Sequence, residues 1–172
     1  MPRNVEIKAR IESIAALVPK VAAIAAHGPT KITQEDIFFR CETGRLKLRT
    51  LSDEDGELIF YRRANETGPK ESVYISAPIS RPGSLRQVLS CAYGEVGRVE
   101  KTRFVYLVGR TRIHLDDVRG LGQFLELEVA LNEGEKTEQG IMEAEKLMER
   151  LGIENPQLID RAYVDLLGAA NG

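Results

Sequence analysis

The sequence predicts a mainly β fold of the α+β class: an eight-stranded antiparallel closed barrel with a polar, charged lumen and helices packed outside it. Strand-like runs in which polar and apolar residues alternate dominate the 172-residue chain. The turns between them are mostly too short for parallel crossovers, which favours antiparallel neighbours. Eight is also a number of strands with which small barrels close.

The predicted strands end at recognisable turn sequences, such as DEDG at 53–56 and NETGP at 65–69. We expect strands at 3–10, 31–41, 45–52, 57–64, 71–78, 98–108, 110–117 and 123–132. Helical periodicity predicts helices at 12–26, 82–92, 136–151 and 160–168. Pro19 should shorten or kink the first helix. With no repeat and no linker-like segment, we expect one domain over 1–172.

Composition argues against several classes of protein. A formal net charge of −2 and a pI near 5.8 give no overall basic field, so we do not expect a nucleic-acid partner. No stretch approaches the roughly 20 apolar residues of a membrane span, and we expect a cytoplasmic protein without a membrane partner. Cys41 and Cys91 lack metal-ligand spacing and are predicted to be reduced thiols.

Ionisable residues recur at every second position of the predicted strands, and their signs segregate. Basic residues occupy one face at 45–49, 63 and 101–103, acidic residues occupy 126–128, and both types occur at 4–10. For any one strand, a charged face turned to water is the simpler explanation. A solvated face usually mixes both signs along each strand, however, so the segregation over six strands favours a binding site.

If the strands close with these faces inward, the lumen becomes strongly basic. Its cations would repel one another unless a multivalent anion lies among them. Glu6, Glu126 and Glu128 would form an oxygen-ligand cluster suited to Mg²⁺ or Mn²⁺. A divalent cation bridging these carboxylates to phosphate oxygens would explain both halves of the pattern, and it predicts a small phosphate-bearing substrate.

Five segments carry a resemblance to a known family. They are NVEIK at 4–8, DIFFRCETGRLKLR at 36–49, LIFYRR at 58–63, VEKTRFVYLVG at 99–109 and IHLDDVRGLGQFLELE at 113–128. In order and spacing they resemble the motifs of the CYTH superfamily of triphosphate tunnel metalloenzymes, which includes class IV adenylyl cyclases, thiamine triphosphatases and inorganic tripolyphosphatases. Their wording is most similar to the bacterial class IV adenylyl cyclase-like branch.

The resemblance implies an antiparallel tunnel that binds a triphosphate through its bases and one or two divalent metals through its acids. The metal ligands it implies are Glu6, Glu126 and Glu128. Lys8, Glu126 and Glu128 are the catalytic candidates, because the lysine could assist proton transfer. The phosphate ligands it implies are Lys8, Lys47, Arg49, Arg63, Lys101 and Arg103, with Arg45 and Arg112 as weaker candidates that could instead form surface ion pairs.

The chain departs from the family pattern at two positions. Asn4 stands where the first motif often has a glutamate, which removes one negative charge and leaves the number of metals open. Phe38 stands two residues after Asp36, where the thiamine triphosphatase branch has a tyrosine, and this weakens that reading. His114 is a second-tier site candidate. Tyr61 and Tyr163 are explained as amphipathic wall residues.

Three functions remain open at this point. The first is metal-dependent hydrolysis of a nucleoside or inorganic triphosphate, and the second is cyclisation of ATP to cyclic AMP and pyrophosphate in the same cradle. The third is a non-catalytic module that binds polyphosphate or a nucleotide. The sequence indicates neither the triphosphate nor the oligomeric state, and a homodimer is possible.

Overall fold

The strands close into an antiparallel barrel in the structure, a computed structural model that describes residues 1–170. Within that range, eight strands pair around the ring in the order β1, β5, β4, β3, β2, β6, β7, β8. The prediction of an eight-stranded antiparallel closed barrel is therefore confirmed. The strands are β1 Arg3–Arg10, β2 His27–Phe39, β3 Arg45–Thr50, β4 Asp55–Arg63, β5 Lys70–Ser80, β6 Glu95–Val108, β7 Thr111–Val118 and β8 Gly122–Leu131.

Two strands begin three or more residues earlier than predicted. Strand β2 starts at His27 instead of residue 31, and β6 starts at Glu95 instead of residue 98. Each extension pairs with the other strand, His27 opposite Leu107 and Glu95 opposite Phe39. The polar AHGPT sequence at 26–30 therefore gains its strand structure from a partner strand and not from its own side-chain pattern.

The predicted helices are all present, with shifted ends: α1 Ile14–Ile24, α2 Pro82–Tyr93, α3 Thr137–Leu151 and α4 Tyr163–Ala170. Helix α1 is shorter than expected and contains Pro19. It begins after Ser13, whose hydroxyl accepts a hydrogen bond from the Ala16 N–H as an N-cap. No helix within residues 1–170 is both long and apolar enough to cross a membrane.

The outward faces of the strands are apolar, and α1, α2 and α3 cover them. Leu115, Leu125 and Leu127 are fully buried beneath α1 and α3, which contribute Val21 and Leu147 to the same cluster. Helix α2 covers a second cluster around β2 and β3. Burial of such leucine side chains contributes roughly 2 kcal/mol each. Because these residues lie between the strands and the covering helices, the main core lies outside the barrel wall.

Helix α4 differs from the other three in its location. It packs on inward-facing residues at one end of the barrel, including Phe38, Val118 and Phe124. The prediction of helices packed outside the barrel is thus confirmed: α1 to α3 lie on the outer wall, and α4 covers an end of the lumen. The close approach of α4 to β6 requires a glycine at position 97, because a Cβ on Gly97 would lie 2.2 Å from Val164 Cγ2.

Candidate active site in the tunnel

The inward faces of all eight strands enclose a cavity of about 450 Å³. Side chains at every second position line it, as the sequence alternation predicts, and each strand contributes polar groups. Strand register places the tightest charge cluster in the middle of the lumen, since Lys8 lies opposite Glu126, and Glu126 lies opposite His114. The structure therefore brings the predicted acids and most of the predicted bases into one tunnel.

Asp36 organises the bases of β3. Its carboxylate accepts a hydrogen bond from Lys47 Nζ at 2.8 Å and two from Arg49 at 2.9 and 3.0 Å. Burial alone would raise the pKa of Asp36, but the neighbouring Lys47 and Arg49 outweigh it and hold that pKa well below its usual range. Burial lowers the pKa of Lys47 to about 8.

Asp116 organises the bases of β6 in the same way. It is fully buried, and it accepts two hydrogen bonds from Arg103 at 2.7 Å each and one from Lys101 at 3.2 Å. Burial opposes the ionised form, yet Arg103 and Lys101 keep the pKa of Asp116 below its usual value. The Tyr163 hydroxyl of α4 donates a further hydrogen bond to this carboxylate at 2.9 Å.

The acidic side of the tunnel brings together one nitrogen and two carboxylate donors. Ligand atoms of His114, Glu126 and Glu128 lie within 4.8 Å of one another. Although burial raises the pKa values of both carboxyls, neighbouring groups lower them more: Lys8 and Arg103 at Glu126, and at Glu128 His114, in its protonated form, and Arg112. Ionised carboxylates beside a buried imidazole suit a divalent cation with room for water and phosphate oxygens.

His114 also supports the fit to a cation. Burial lowers its pKa, so the imidazole favours the neutral form that ligates metals. Its buried Nδ1 makes no hydrogen bond within the described residues 1–170. Nδ1 lies 3.6 Å from Glu126 and 3.8 Å from Glu128, so a cation between the three would satisfy it. His114, a second-tier candidate from sequence, is thus one of the three donors of a candidate metal group, together with Glu126 and Glu128.

Glu6 lies opposite Glu128 in the pairing of β1 with β8, outside the group of three donors described above. Its carboxylate pairs with Arg63 Nε at 3.2 Å, and burial raises its pKa. Asn4 on the same face of β1 is also buried and lines the cavity. His114 is therefore a further candidate donor beside Glu126 and Glu128, while Glu6 pairs with Arg63 and remains a candidate metal ligand.

The two weaker base candidates occupy different places. Arg45 forms a two-point ion pair with Asp165 of α4, at 3.0 and 2.6 Å, and does not line the cavity. This pair attaches α4 to the barrel wall, which favours the ion-pair alternative for Arg45 over a role as a phosphate ligand. Arg112 does line the cavity, where it pairs with Glu128 at 2.8 Å.

Sequence reasoning missed three residues of the site: Asp36, Asp116 and Tyr163. Both aspartates share the inward register of neighbouring site residues, and this signal could have identified them. Because they neutralise much of the basic wall, the expectation of a lumen with strong internal repulsion is wrong. The sequence predicts Tyr163 as an amphipathic wall residue, but it is buried against Lys8 and Lys101.

Comparison with other proteins agrees with this architecture. A Methanocaldococcus jannaschii protein named as a proposed adenylate cyclase is 27% identical over 96% of this chain and 98% of its own length. The solved structure of a Pyrococcus horikoshii protein covers 95% of this chain and 98% of that chain at 20% identity, with a TM-score of 0.83. A Hippeastrum structure, described as an adenylyl cyclase candidate with a dominant triphosphatase activity, has a TM-score of 0.67 at 14% identity over 99% of this chain and 96% of that one.

The family assignment follows from the breadth of the match. The model of the CYTH domain covers residues 2–163, from the first residues of β1 to the first residue of α4. That range contains every strand of the barrel and all the tunnel residues described above. With its closed antiparallel ring and charged lumen, this chain belongs to the CYTH domain family.

Proposed function

We propose that this protein is a divalent-metal-dependent enzyme that binds a triphosphate in its tunnel and hydrolyses one of its phosphoanhydride bonds. One observation carries the proposal: a wall of buried, oriented bases faces the group formed by His114, Glu126 and Glu128 across one lumen. A triphosphate needs both features, since several fixed cations must neutralise its charge and a metal must engage its phosphoryl oxygens.

The bases divide the work by position. Lys47 and Arg49 are oriented by Asp36, and Lys101 and Arg103 by Asp116, so each pair presents fixed charge without reorganising. The chain of phosphates would lie between the two pairs. Arginine forks onto phosphate oxygens, while lysine supplies a compact charge.

Arg103 lies where these two functions meet. Its Nη2 donates to Asp116 at 2.7 Å and to Glu126 at 2.6 Å, and Lys8 Nζ lies 3.0 Å from the other oxygen of Glu126. A cation held by His114, Glu126 and Glu128 would polarise the phosphoryl oxygen and help supply the attacking water. Arg103 and Lys8 then stabilise the charge that develops on the transferring phosphoryl group. Lys8 can also exchange a proton with that group.

Cyclisation of ATP is the second candidate, and the open end of the tunnel favours it. Ile32 and Val105 line the cavity farther along β2 and β6 from α4, and Leu51, just after β3, and Tyr74 line it as well. Apolar and aromatic walls suit a nucleoside better than a bare polyphosphate. The name of the M. jannaschii relative points the same way.

Phosphorus NMR separates these reactions. The purified protein is incubated with tripolyphosphate or ATP and with Mg²⁺ or Mn²⁺, with EDTA controls. Orthophosphate with the matching diphosphate supports hydrolysis, whereas cyclic AMP with pyrophosphate supports cyclisation. Metal-independent binding without product would contradict both and favour a polyphosphate-binding module. In the same assay Arg103→Ala should lower the rate of product formation, and Arg98→Ala, which removes an exposed ion-paired arginine from β6, is its matched control.

A further inference from the structure

Tyr163 places its ring against the ammonium groups of two tunnel lysines. Lys8 Nζ lies 3.6 Å from the ring centroid and Lys101 Nζ lies 4.8 Å from it. Only 5% of the surface of Tyr163 is exposed. Its hydroxyl donates to Asp116, the carboxylate that also accepts from Lys101 and Arg103. A residue of the C-terminal helix is therefore part of the charged site.

The segment before Tyr163 is attached to the same strand as Lys8. The Ile159 N–H donates to the backbone carbonyl of Lys8 at 2.9 Å, and Leu158 forms a bridge with Ala9. The Tyr163 ring also packs on Phe124 at 4.9 Å between centroids. These contacts fix the ring relative to the lysine backbone, so the ring can define where the lysine side chain points.

Lysine has a flexible stem and no preferred direction for its charge. At Lys8 two contacts supply that direction: the carboxylate of Glu126 at 3.0 Å and the face of the Tyr163 ring. A cation is attracted to an aromatic face, and more strongly where water is excluded. Without the ring, one side of the ammonium group would lose its neighbour.

We propose that Tyr163 is a positioning residue: its ring directs the Lys8 ammonium group into the tunnel, and its hydroxyl orients Asp116 and through it Lys101. This inference rests on the proposed function in taking phosphate as the ligand of these lysines. The hydroxyl and ring have separable roles, because Tyr163→Phe removes only the first and Tyr163→Leu removes both.

The placement of Lys8 can be tested without turnover. A ring face this close shifts the NMR signals of the lysine CεH₂ group upfield, and Lys8→Arg identifies those signals by their disappearance. We expect the upfield shift in the unmodified protein and in Tyr163→Phe, and its loss in Tyr163→Leu. An ordinary lysine shift in the unmodified protein, or a shift that persists in Tyr163→Leu, overturns the proposal.

The functional consequence is tested by calorimetry with tripolyphosphate in EDTA and by kcat and KM with metal. Tyr163→Leu should weaken metal-free binding about tenfold and lower kcat as well, while Tyr163→Phe, which loses only the hydrogen bond to Asp116, should weaken binding about threefold. Tyr106→Leu is the control, because it removes a buried tyrosine from the outer core beneath α1 and α3. Unchanged affinity and kcat in Tyr163→Leu, or equal losses in Tyr106→Leu, overturn the proposal.

The inference about Tyr163 can also be tested if the protein shows no turnover or if Tyr163→Leu does not fold. If the unmodified protein turns over no triphosphate but binds tripolyphosphate, loss of affinity in Tyr163→Leu supports the inference although the proposed function fails. If Tyr163→Leu does not fold, Tyr163→Met replaces it, because methionine fills similar space without an aromatic face. Retained lysine shift and affinity in that variant overturn the proposal.

Discussion

Arg103 donates to both carboxylate oxygens of Asp116, from Nε to Oδ1 and from Nη2 to Oδ2, at 2.7 Å each. Both side chains are buried, and the same Nη2 also reaches Glu126 at 2.6 Å. One guanidinium therefore connects the carboxylate that orients the bases of β6 to a carboxylate of the metal group. A change at Asp116 should consequently affect both stability and phosphate binding.

Replacing Asp116 by asparagine should destabilise the protein. It removes the buried counter-charge of Lys101 and leaves Arg103 with only Glu126, and breaking a buried ion pair costs roughly 3 to 5 kcal/mol. Chemical denaturation measures this loss as a lower free energy of unfolding. Asp117→Asn is the matched control, because Asp117 is the adjacent residue with the same chemistry on an exposed face, and it should change stability by less than about 0.5 kcal/mol.

A phosphate ligand should restore part of the stability lost in Asp116→Asn. The uncompensated bases then have an anion to bind, so tripolyphosphate should raise the melting temperature of this variant more than that of the unmodified protein. Thermal unfolding with and without tripolyphosphate, in EDTA, measures the difference. Equal increases in both proteins would show that Asp116 does not compete with phosphate for these bases.

The packing of α4 on the barrel depends on Gly97. A methyl group there would overlap Val164, so Gly97→Ala should displace α4 and cost about 1 to 3 kcal/mol. In the double variant Gly97→Ala, Val164→Ala the overlapping Cγ2 atom is absent, and the added methyl lies 3.7 Å from Val164 Cβ. We therefore expect the double variant to be more stable than the sum of the two single changes predicts.

Hydrogen exchange and denaturation of the four proteins in this cycle measure the coupling. Amides of 158–170 should exchange faster in Gly97→Ala and recover in the double variant. Additive free energies would mean that Val164 does not pack on Gly97. Gly83→Ala in α2, where an added Cβ meets nothing within 4 Å, is the control for replacing a glycine.

The alternation of charged and apolar residues was sufficient to predict the barrel. It identified every strand and the inward faces, because a period of two assigns each side chain to one surface. It also identified Lys47, Arg49, Lys101 and Arg103 as cavity residues. The position of α4 could not be predicted, since a short apolar helix fits equally well on the outer wall or over one end of the lumen.

The pairing of the charged side chains could not be predicted from the sequence. Asp36 and Asp116 are single acids beside several bases, and only the closed ring shows that each accepts hydrogen bonds from two of them. Tyr163 reaches Lys8 from 155 positions along the chain. No local pattern encodes such a contact, because it depends on how the C-terminal segment returns to β1.

Replacing Glu128 by glutamine should separate binding from turnover. Glu128 pairs with Arg112 and belongs to the metal group, whereas Glu126 also orients Lys8 and Arg103, so Glu128 is the cleaner test. We expect kcat to fall about 100-fold and more metal to be needed for half-maximal activity. Tripolyphosphate affinity in EDTA should be unchanged or higher, because one negative charge has left the tunnel.

Glu57→Gln provides the matched control for this variant. Glu57 also lines the cavity, but it lies outside the metal group and pairs with Arg49 only at 3.9 Å. Glu57→Gln should need the same metal concentration for half-maximal activity as the unmodified protein. If Glu128→Gln keeps the metal dependence of the unmodified protein, the carboxylate does not contribute to the cation site.

Lys47 should make phosphate binding sensitive to pH. Burial lowers its pKa to about 8, so the ammonium charge that faces the phosphate is lost as the pH rises through this value. Affinity for tripolyphosphate in EDTA should therefore fall above pH 8, and Lys47→Arg, which stays charged, should flatten that decline. Isothermal calorimetry from pH 7 to 10 measures it, and comparison of the two proteins cancels the ionisation of tripolyphosphate.

Lys70 supplies the control for this titration. Burial also lowers its pKa to about 8, but it donates to the backbone of Glu66 and does not line the cavity. Lys70→Arg should therefore retain the full decline in affinity with pH.

The free energy of unfolding should change with pH in the opposite direction to the affinity for tripolyphosphate. Between pH 8 and about 10.4 the unfolded chain holds the Lys47 proton more strongly than the folded one, so its contribution to stability rises with pH. Affinity that falls equally in Lys47→Arg would exclude Lys47 as the titrating group.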